Sequence, residues 1–540
     1  MARTQDVEVK QSQMAGVGRG LFATKDFAPG DLVLCLERPL VAELELDRMQ
    51  DTCAWCLQRG LSDPTERMQA ASMGLPGGFI EVKCCTACRK VAYCSKACQA
   101  KAWKREHKYE CKILKSKERP DLPVQVRAII KLLGKLMADP EGKTDDVYDV
   151  LKFMPAGAPN GLDDFAKENK QRFDDFNMLG HAAWHYCGAP KLPVVNVDSL
   201  PTAKALMFNV MSNTFKLTSP LDIVELGKGF DPILCSANHS CDPNVALGFN
   251  QPKTVLRALK PIKKGDEIFM KYTETTNPLS VRRTDLQETY FFTCQCAKCQ
   301  KGPIGPEDTF KTSPEKLPDT YCRMADNLLP LHRATLPKHT LPIKNNVAES
   351  RLAAMQAEAF SVAESTSSNI EDIKGALQMC LTSRMWRWTR QPVPELLRRL
   401  FGAYLEAGEP YKSFRVGIKL YFEVMPELYP QSFYPDRLII TWTLATITNV
   451  LCGPRHQHIY QEMAQSGLDL RVIYMAFLFE LHENMPKMYG LDSPFSLVLG
   501  NTYKQIMAGV PMPEAEIKEK IKESLPALEM MALSMDVSSL

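Results

Sequence analysis

Closely spaced cysteines constrain the fold of this chain more than any other feature. Eleven of its 18 cysteines, together with one histidine, stand in spacings that are typical of metal ligands. The N-terminal residues Met1–Asp6 contain no apolar run that would predict a secretory signal. We therefore expect residence in the nucleus and cytoplasm, where thiols stay reduced and clustered cysteines indicate zinc sites.

The first ligand series lies between positions 53 and 111. Eight ligands in close pairs suit two tetrahedral zinc ions, because ligands two or three residues apart can reach one ion from a single turn. Cys84 competes with Cys85, and Cys85 is preferred because only it leaves two residues before the next cysteine. The ligand pairs are Cys53-x2-Cys56, Cys85-x2-Cys88, Cys94-x3-Cys98 and His107-x3-Cys111. Most of the seven scattered cysteines are expected to be core thiols: Cys35, Cys84, Cys187, Cys235, Cys322, Cys380 and Cys452.

A second series combines turn formers, a tyrosine and three cysteines. The run from Asn238 to Asn244 reads Asn-His-Ser-Cys-Asp-Pro-Asn, and such residues are ordinary turn formers. Tyr272 follows an apolar run and, taken alone, is an ordinary strand residue. Three cysteines within six residues indicate a shared metal. Cys241 can supply a fourth ligand to Cys294, Cys296 and Cys299, which would close a site between the Asn-His turn and these cysteines.

This order of parts resembles the core of a SET-domain protein-lysine methyltransferase with its post-SET segment. The resemblance implies that the hydroxyl of Tyr272 is catalytic, orienting the amine and the methyl group, and that Phe215 and Tyr290 line the substrate channel. Gly18-Arg19-Gly20-Leu21 could be a flexible hairpin, but it matches the turn that lies against S-adenosylmethionine in these proteins. The implied cofactor contacts are Gly18, Arg19, Gly20, Asn238, His239, Tyr272 and Phe292.

The first ligand series, with Tyr93, Ser95 and Trp103 around it, resembles a MYND zinc finger. That resemblance implies interleaved pairs and the docking of proline-rich peptides. The gap from Cys56 to Cys85 is longer than usual for the family, and its Pro and Gly content suggests a loop insertion that leaves the ligands in place. The implied ligand sets are Cys53, Cys56, Cys94 and Cys98 for one ion, and Cys85, Cys88, His107 and Cys111 for the other.

Together these features predict an α+β protein of the SMYD family. The predicted parts are a β-rich SET domain split by a MYND zinc finger and a helical insert, a zinc-binding post-SET segment, and an all-α C-terminal domain that is either tetratricopeptide-like or a plain bundle. The predicted ranges are 1–50 (SET N-terminal part), 53–111 (finger), 112–204 (insert), 205–275 (SET core), 276–300 (post-SET) and 318–540 (helical domain).

Periodicity and local motifs place several further elements. Tyr148 is a candidate cofactor contact in the insert, and the spacing of His181 and His185 fits either a metal pair or helix packing. The predicted helices are Val124–Met137, Asp163–Asn177, Leu179–Tyr186, Leu206–Phe215, Ser280–Glu288, Leu396–Ala407, Pro410–Val424 and Arg437–Cys452, and the predicted strands include Val245–Phe249, Val255–Ala258 and Glu267–Lys271.

Composition excludes other classes of function. The formal net charge of +3 gives no argument for a nucleic-acid or membrane partner, so at most weak, non-specific nucleic-acid binding is expected. The longest apolar stretches, Leu438–Leu451 and Val472–Leu481, are shorter than a membrane span and predict buried helices. The expected function is S-adenosylmethionine-dependent methylation of lysine in histone or other proteins by a monomer with three zinc ions. The alternative is a non-catalytic adaptor that recruits protein partners.

Overall fold

The computed structural model describes residues 6–14, 18–60, 80–116, 121–139, 167, 169–189, 191–192, 197–218, 225–309, 349–365, 369–383, 385–510 and 512–536. It divides into two compact units. The first comprises the described residues up to Thr273 together with Arg283–Ala297, and the second comprises Glu274–Arg282 and the described residues from Lys298 onward. Tyr148, Cys322 and most of the predicted loop insertion (61–79) lie outside the described residues.

The first unit contains small β-sheets built from short strands. Short runs rich in apolar residues form several of these strands, and the run from Val245 to Phe249 is buried or half-buried along its length. The strands are β1 Val7–Gln11, β2 Arg19–Ala23, β3 Leu32–Leu36, β4 Val41–Leu44, β5 Lys83–Cys84, β6 Ala92–Tyr93, β7 Lys191–Leu192, β8 Val197–Asp198, β9 Phe215–Thr218, β10 Glu225–Phe230, β11 Asn238–His239, β12 Val245–Asn250, β13 Lys253–Ala258 and β14 Glu267–Met270. The sheet orders are β1-β2-β14-β11, β4-β10-β9 and β12-β13-β3, with the two-stranded ribbons β5-β6 and β7-β8.

The four-stranded sheet brings distant parts of the sequence together. β14 pairs antiparallel with β2, so that Ile268 lies opposite Leu21. On its other edge β14 pairs with β11 in parallel, with Asn238 opposite Phe269 and His239 opposite Met270. The glycine turn (Gly18–Leu21) and the Asn-His motif (Asn238 and His239) therefore meet in one sheet, and Tyr272 follows two residues after its strand β14. The three strands predicted after position 244 are confirmed, each within two residues of its predicted bounds.

Helices pack against these sheets in the first unit. The predicted helix Val124–Met137 is confirmed, with bounds Val124–Ala138. The predicted helices Asp163–Asn177 and Leu179–Tyr186 form one continuous helix, Lys170–Tyr186, while residues 163–166 and 168 lie outside the described residues. The helices from the finger through the insert are Lys96–Ala102, Lys108–Leu114, Val124–Ala138, Lys170–Tyr186 and Ser199–Asn213, with a π-helical turn at Trp103–His107. The helix Leu279–Tyr290 follows the four-stranded sheet.

The predicted helix Leu206–Phe215 is wrong at its C-terminus. The helix ends at Asn213, and Phe215 begins β9, which pairs with β10. In the last helical turn the side chain of Ser212 donates to the carbonyl of Phe208, and that of Asn213 donates to the carbonyl of Asn209. Such local side-chain hydrogen bonds and the β-branched Thr214 disfavour another turn.

The C-terminal unit is all-helical from Glu349 onward in its described part, as predicted. The helix predicted at Leu396–Ala407 spans Val393–Glu406, and the one predicted at Pro410–Val424 continues from an α-helix into a π-helical segment, Leu420–Val424. No described helix has both the length and the apolar character of a membrane span. The helices are Glu349–Glu364, Ile370–Thr382, Val393–Glu406, Pro410–Lys419, Met425–Leu428, Pro435–Leu451, Gln457–Gln465, Leu470–Tyr489, Pro494–Gly509 and Glu514–Ser534, after the short Ala297–Gln300.

Candidate active site and metal centres

Three groups of side chains each present four metal-ligand atoms within 4.8 Å of one another. Sets of four thiols, or of three thiols and one imidazole, fit tetrahedral zinc, so the predicted three-zinc content is matched. The interleaved pairing of the finger is confirmed. We name them the first centre (Cys53, Cys56, Cys94, Cys98), the second centre (Cys85, Cys88, His107, Cys111) and the third centre (Cys241, Cys294, Cys296, Cys299).

The second centre has all four ligands buried. Nε2 of His107 lies 3.7 Å from the Cys88 sulfur and faces the ligand cluster. On the other side of the ring Nδ1 lies 2.9 Å from Oε1 of Glu110. A carboxylate can only accept, so Nδ1 carries the proton and Nε2 is left free to bind zinc.

A buried ionic network surrounds Glu110. Lys131, on the helix Val124–Ala138, contacts Oε1 of Glu110 at 3.1 Å and also pairs with Glu43 of β4. Arg127, one turn earlier on that helix, donates to Glu43 at 3.0 Å. All four side chains are at least nine-tenths buried. The second centre is therefore tied through charges to β4 and to the helix Val124–Ala138.

A second buried pair lies beside this network. Arg38 donates to Glu106 at 2.8 Å. Its guanidinium also donates to the carbonyls of Ala54 and Trp55, the two residues between the first-centre ligands Cys53 and Cys56. Burial opposes the ionisation of Glu106, yet the positive charges of Arg38, Lys131 and Lys135 lower its pKa to about 2.

The first centre is closer to water. Only Cys53 is fully buried, and the other three ligands are half-buried. Ser95 begins the helix Lys96–Ala102, and its hydroxyl accepts from the backbone N–H of Cys98 at 3.1 Å. Cys84 is exposed, in agreement with the choice of Cys85 as the ligand. The prediction that most scattered cysteines are core thiols holds only in part: among those described Cys380 is fully buried, and Cys187 and Cys235 are half-buried against a hydrophobic core.

The glycine turn and the Asn-His motif are joined by a buried carboxylate, Glu267, at the start of β14. The side-chain amide of Asn238 donates at 2.8 Å both to the carbonyl of Arg19 and to Oε1 of Glu267. Ser12 donates its hydroxyl to the same oxygen at 2.9 Å. A Cβ on Gly20 would overlap this carboxylate, which explains the need for glycine there. Gly18 lies just before β2 with open space beside its Cα.

Asn244 fixes the other end of the Asn-His motif. Its amide donates to the carbonyl of Glu267 at 2.9 Å, and its side-chain oxygen accepts from the N–H of Phe269 at 2.7 Å. The side chain thus makes the two backbone hydrogen bonds that a neighbouring strand would otherwise make with β14. The turn residues Asp242 and Pro243 are thereby held against the sheet, and Cys241 enters the third centre.

Tyr272 lies two residues beyond β14, with its ring among other aromatic rings. Its hydroxyl donates to the carbonyl of Ala237 at 2.9 Å. The ring centroid lies 4.8 Å from that of Tyr290 and 6.4 Å, edge-on, from that of Phe292. Burial raises the pKa of Tyr272 far above its usual value and that of Tyr290 to about 12. Both phenols are therefore neutral at physiological pH.

His239 touches several of these groups. Its ring centroid lies 5.4 Å from that of Tyr272 and 6.2 Å from that of Phe292. Nδ1 accepts from the backbone N–H of Tyr272 at 3.0 Å, and Nε2 lies 3.3 Å from the Cys241 sulfur. The structure thus brings Asn238, His239, Tyr272, Tyr290 and Phe292 into one cluster.

Phe215 is placed differently from these residues. Its ring stacks on Phe249 at 6.0 Å, and a Cβ on Gly229 would overlap it. It packs against the same apolar core as Tyr272, but its role in a substrate channel stays a prediction. His181 and His185 are exposed and lie beside Trp184 and Tyr186, which favours the packing alternative over a metal pair.

Sequence reasoning missed Glu267 and the ionic network around Lys131. One signal for Glu267 was available, because an acidic residue directly before Ile-Phe-Met occupies a strand position in an otherwise apolar run. Glu110 also had a signal: a carboxylate three residues after a helical zinc ligand can reach the outer nitrogen of that ligand. No sequence signal indicated the roles of Lys131 and Glu43, because their partners are distant in sequence.

Comparison with known proteins finds a matching family model and similar relatives. The SET domain family model matches residues 18–273. The human histone-lysine N-methyltransferase SMYD3 is 27% identical over 299 residues, covering 55% of this chain and 62% of its own length. Human N-lysine methyltransferase SMYD2 is 28% identical over 288 residues, covering 53% of this chain and 58% of its own length. The chain thus spans little more than half of the length of the curated relatives it matches.

A solved structure described as the SET domain of LSMT bound to lysine and AdoHcy is 13% identical, with a TM-score of 0.22 over 96% of this chain and 95% of that one. A likeness this weak adds nothing to the argument for the fold.

Proposed function

Because this chain belongs to the SMYD family of SET and MYND domain-containing proteins, we propose that it is an S-adenosylmethionine-dependent protein-lysine N-methyltransferase. The observation that carries the proposal is the convergence of the Asn-His motif and the glycine turn in one sheet, with Tyr272 two residues after its strand β14. Asn238, which holds the carbonyl of Arg19, stands where the family places a cofactor contact. The cofactor residues proposed are Gly18, Arg19, Gly20, Asn238, His239, Tyr272 and Phe292.

The cofactor would supply an electrophilic methyl group on a sulfonium, and the protein must align it with a neutral amine. Free lysine has a pKa of about 10.4, so an apolar, aromatic site helps by disfavouring the charged amine. Tyr272 and Tyr290 present neutral rings and hydroxyls at such a site, and rings also attract an approaching cation. In this proposal Tyr272 orients the amine, and Tyr290 and Phe215 line the lysine channel.

Calorimetric titration of zinc-replete protein with S-adenosylmethionine tests the proposal first. We expect micromolar binding of about −8 kcal/mol. Asn238→Ala should weaken it about tenfold or more, because both the Arg19 carbonyl and Glu267 lose a hydrogen-bond donor. Tyr272→Phe should keep most of the binding, since only one hydroxyl is lost. Tyr411→Phe, which removes a hydroxyl in the C-terminal unit, serves as the matched control.

A labelled methyl donor then tests transfer to histone and non-histone proteins. We expect lysine methylation by the wild type and by Tyr411→Phe, and a loss of about 100-fold or more in Tyr272→Phe because the positioned hydroxyl is gone. Folded protein without detectable cofactor binding would contradict the proposal and favour the adaptor.

We propose a second, compatible function for the finger, the docking of proline-rich peptides. Trp103 is 49% exposed, and its ring lies 6.0 Å from His107 of the second centre. An exposed aromatic ring on a metal-fixed helix supports the docking of proline-rich peptides, which favour aromatic grooves. Fluorescence anisotropy with a labelled proline-rich peptide should show binding that Trp103→Ala abolishes and the neighbouring Lys104→Ala retains. Equal binding by Trp103→Ala would contradict this role.

We also propose that the protein acts as a monomer in the nucleus and cytoplasm. Its near-neutral formal charge of +3 supports at most weak, non-specific nucleic-acid binding. Light scattering on the eluting protein and imaging of a tagged chain test these two points. A stable dimer, or residence in a secretory compartment, would contradict them.

A further inference from the structure

Tyr272 occupies a position where the sheet no longer fixes the backbone. β14 ends at Met270, and its parallel pairing with β11 ends at the same residue. A tyrosine two residues further on would need another partner for its backbone N–H, because a buried amide left unpaired is costly. In a methyl-transfer site the placement of this residue matters, since small displacements of a positioning group lower rates strongly.

The side chain of His239 provides that partner. Nδ1 lies 3.0 Å from the Tyr272 nitrogen and accepts its N–H. The hydroxyl at the far end of the same tyrosine donates to Ala237 at 2.9 Å. Tyr272 is therefore held at both ends by one short segment, Ala237–His239, and the backbone end depends on an imidazole ring that is 3% exposed.

The tautomer of this imidazole follows from the bond. A backbone N–H can only donate, so Nδ1 must be unprotonated, and a neutral imidazole then carries its proton on Nε2. Nε2 lies 3.3 Å from the sulfur of Cys241, a ligand of the third centre. A zinc-bound thiolate is an acceptor, and hydrogen bonds from outside the ligand shell orient metal sites and their neighbours.

We propose that His239 is a positioning residue that couples the Cys241 ligand of the third centre to the backbone of Tyr272. The thiolate accepts Nε2–H and thereby holds the ring in the tautomer whose Nδ1 receives the Tyr272 N–H. The third centre then does more than stabilise the fold, because it sets where the catalytic hydroxyl lies. The kinetic part of this inference rests on the proposed methyltransferase function, whereas the tautomer does not.

The tautomer is tested on the wild-type protein without any activity assay. Histidine labelled with 13C at Cδ2 gives chemical shifts that separate the two neutral tautomers, and His239→Asn identifies the signal of interest by its disappearance. We expect His239 to carry its proton on Nε2. His107, whose Nδ1 faces Glu110, should show the opposite arrangement and serves as an internal reference. A proton on Nδ1 of His239 would overturn the proposal.

Two variants test separately the contact of His239 with the Tyr272 backbone and its contact with the Cys241 sulfur. Asn places an oxygen near the position of Nδ1, so His239→Asn keeps an acceptor for Tyr272 and loses the donor to Cys241. Gln places its amide near Nε2, so His239→Gln keeps that donor and loses the acceptor. We expect kcat to fall about 10–100-fold in His239→Gln and less than about tenfold in His239→Asn. With S-adenosylmethionine at saturation, the KM for the protein substrate and the zinc content should stay close to the wild type in His239→Gln.

The contact between His239 and the zinc ligand Cys241 is tested by a separate measurement of zinc release. The third centre of His239→Asn should release zinc to a competing chelator about tenfold faster or more, whereas that of His239→Gln should release it at the wild-type rate. A reversed order in either kcat or zinc release would overturn the coupling. An inactive wild type would contradict the proposed function, and the tautomer and zinc release would still decide the coupling.

Discussion

The two zinc centres of the finger have the same ligand chemistry but different surroundings. The second centre is fully buried, and its histidine is backed by Glu110, Lys131 and Glu43. The first centre has three half-buried ligands, and the contacts behind it are a guanidinium on two carbonyls and a serine that caps a helix. The second centre therefore belongs to the core of the first unit, whereas the first centre stabilises its edge.

This contrast has a physical basis in burial. Charged groups such as Lys131 and Glu110 are buried only at a high desolvation cost, and partners at 3 Å offset that cost only if all of them remain in place. The second centre is thus part of a set of groups that depend on one another. Half-exposed thiols at the first centre keep access to water, so losing one of them disturbs fewer neighbours.

The largest expected effect is therefore the loss of a ligand. Cys88→Ser and Cys56→Ser change equivalent positions of the two centres. Structural zinc contributes apparent binding energies of about 10–16 kcal/mol in zinc-finger peptides, and in the second centre this energy also keeps buried charges paired. We expect Cys88→Ser to lose the cooperative thermal transition of the SET unit, and Cys56→Ser to keep it at a lower Tm.

Circular dichroism melts and zinc content per chain measure the two outcomes. Wild-type protein should contain three zinc ions and Cys56→Ser two. Identical melts for the two serine variants would show that both centres belong equally to the core, and the contrast would fail.

Removing one charge of the network should have the next largest effect. Lys131→Met leaves Glu43 and Glu110 buried without this partner, which typically costs about 3–5 kcal/mol of unfolding free energy. Lys90→Met is the matched control, because Lys90 pairs with Asp121 at the surface, where such pairs contribute at most about 1 kcal/mol. Denaturant titration followed by fluorescence compares the two. Similar losses in both variants would contradict the role of the network.

A milder change addresses only the histidine ligand. Glu110→Gln keeps an oxygen for Nδ1–H of His107 but removes the charge that orients the ring, so we expect about 10–100-fold weaker zinc affinity at the second centre. Chelator competition, with the three ions resolved by their release rates, measures this change. Faster release from the first centre instead of the second would contradict it.

The ligand sets and several strands could be predicted from the sequence, whereas the different surroundings of the two centres could not. The interleaved ligand sets followed from resemblance and spacing, and the choice of Cys85 over Cys84 followed from spacing alone. The strand Val245–Asn250 followed from a short local run rich in apolar residues. Such features depend on neighbours along the chain, and these are visible in the sequence.

The surroundings of the ligands depend on contacts between distant residues. Arg127 and Glu43 are 84 positions apart, and Asn238 meets the carbonyl of Arg19 across 219 positions. No local pattern separates a lysine that will be buried in such a network from one on a solvated helix face. The start of β9 at Phe215 was missed for a similar reason, because its pairing partner β10 decides where the preceding helix stops.

The smallest expected effect tests the edge character of the first centre. Ser95→Ala removes the oxygen that accepts from the N–H of Cys98, a cap that is typically worth about 1 kcal/mol, whereas Ser95→Thr keeps a hydroxyl and serves as the control. We expect faster zinc release from the first centre in Ser95→Ala, with release from the second centre unchanged. Because the ionic network holds the second centre independently of this cap, a change at both centres would mean that the helix Lys96–Ala102 transmits strain between them and that the two ions act as one unit.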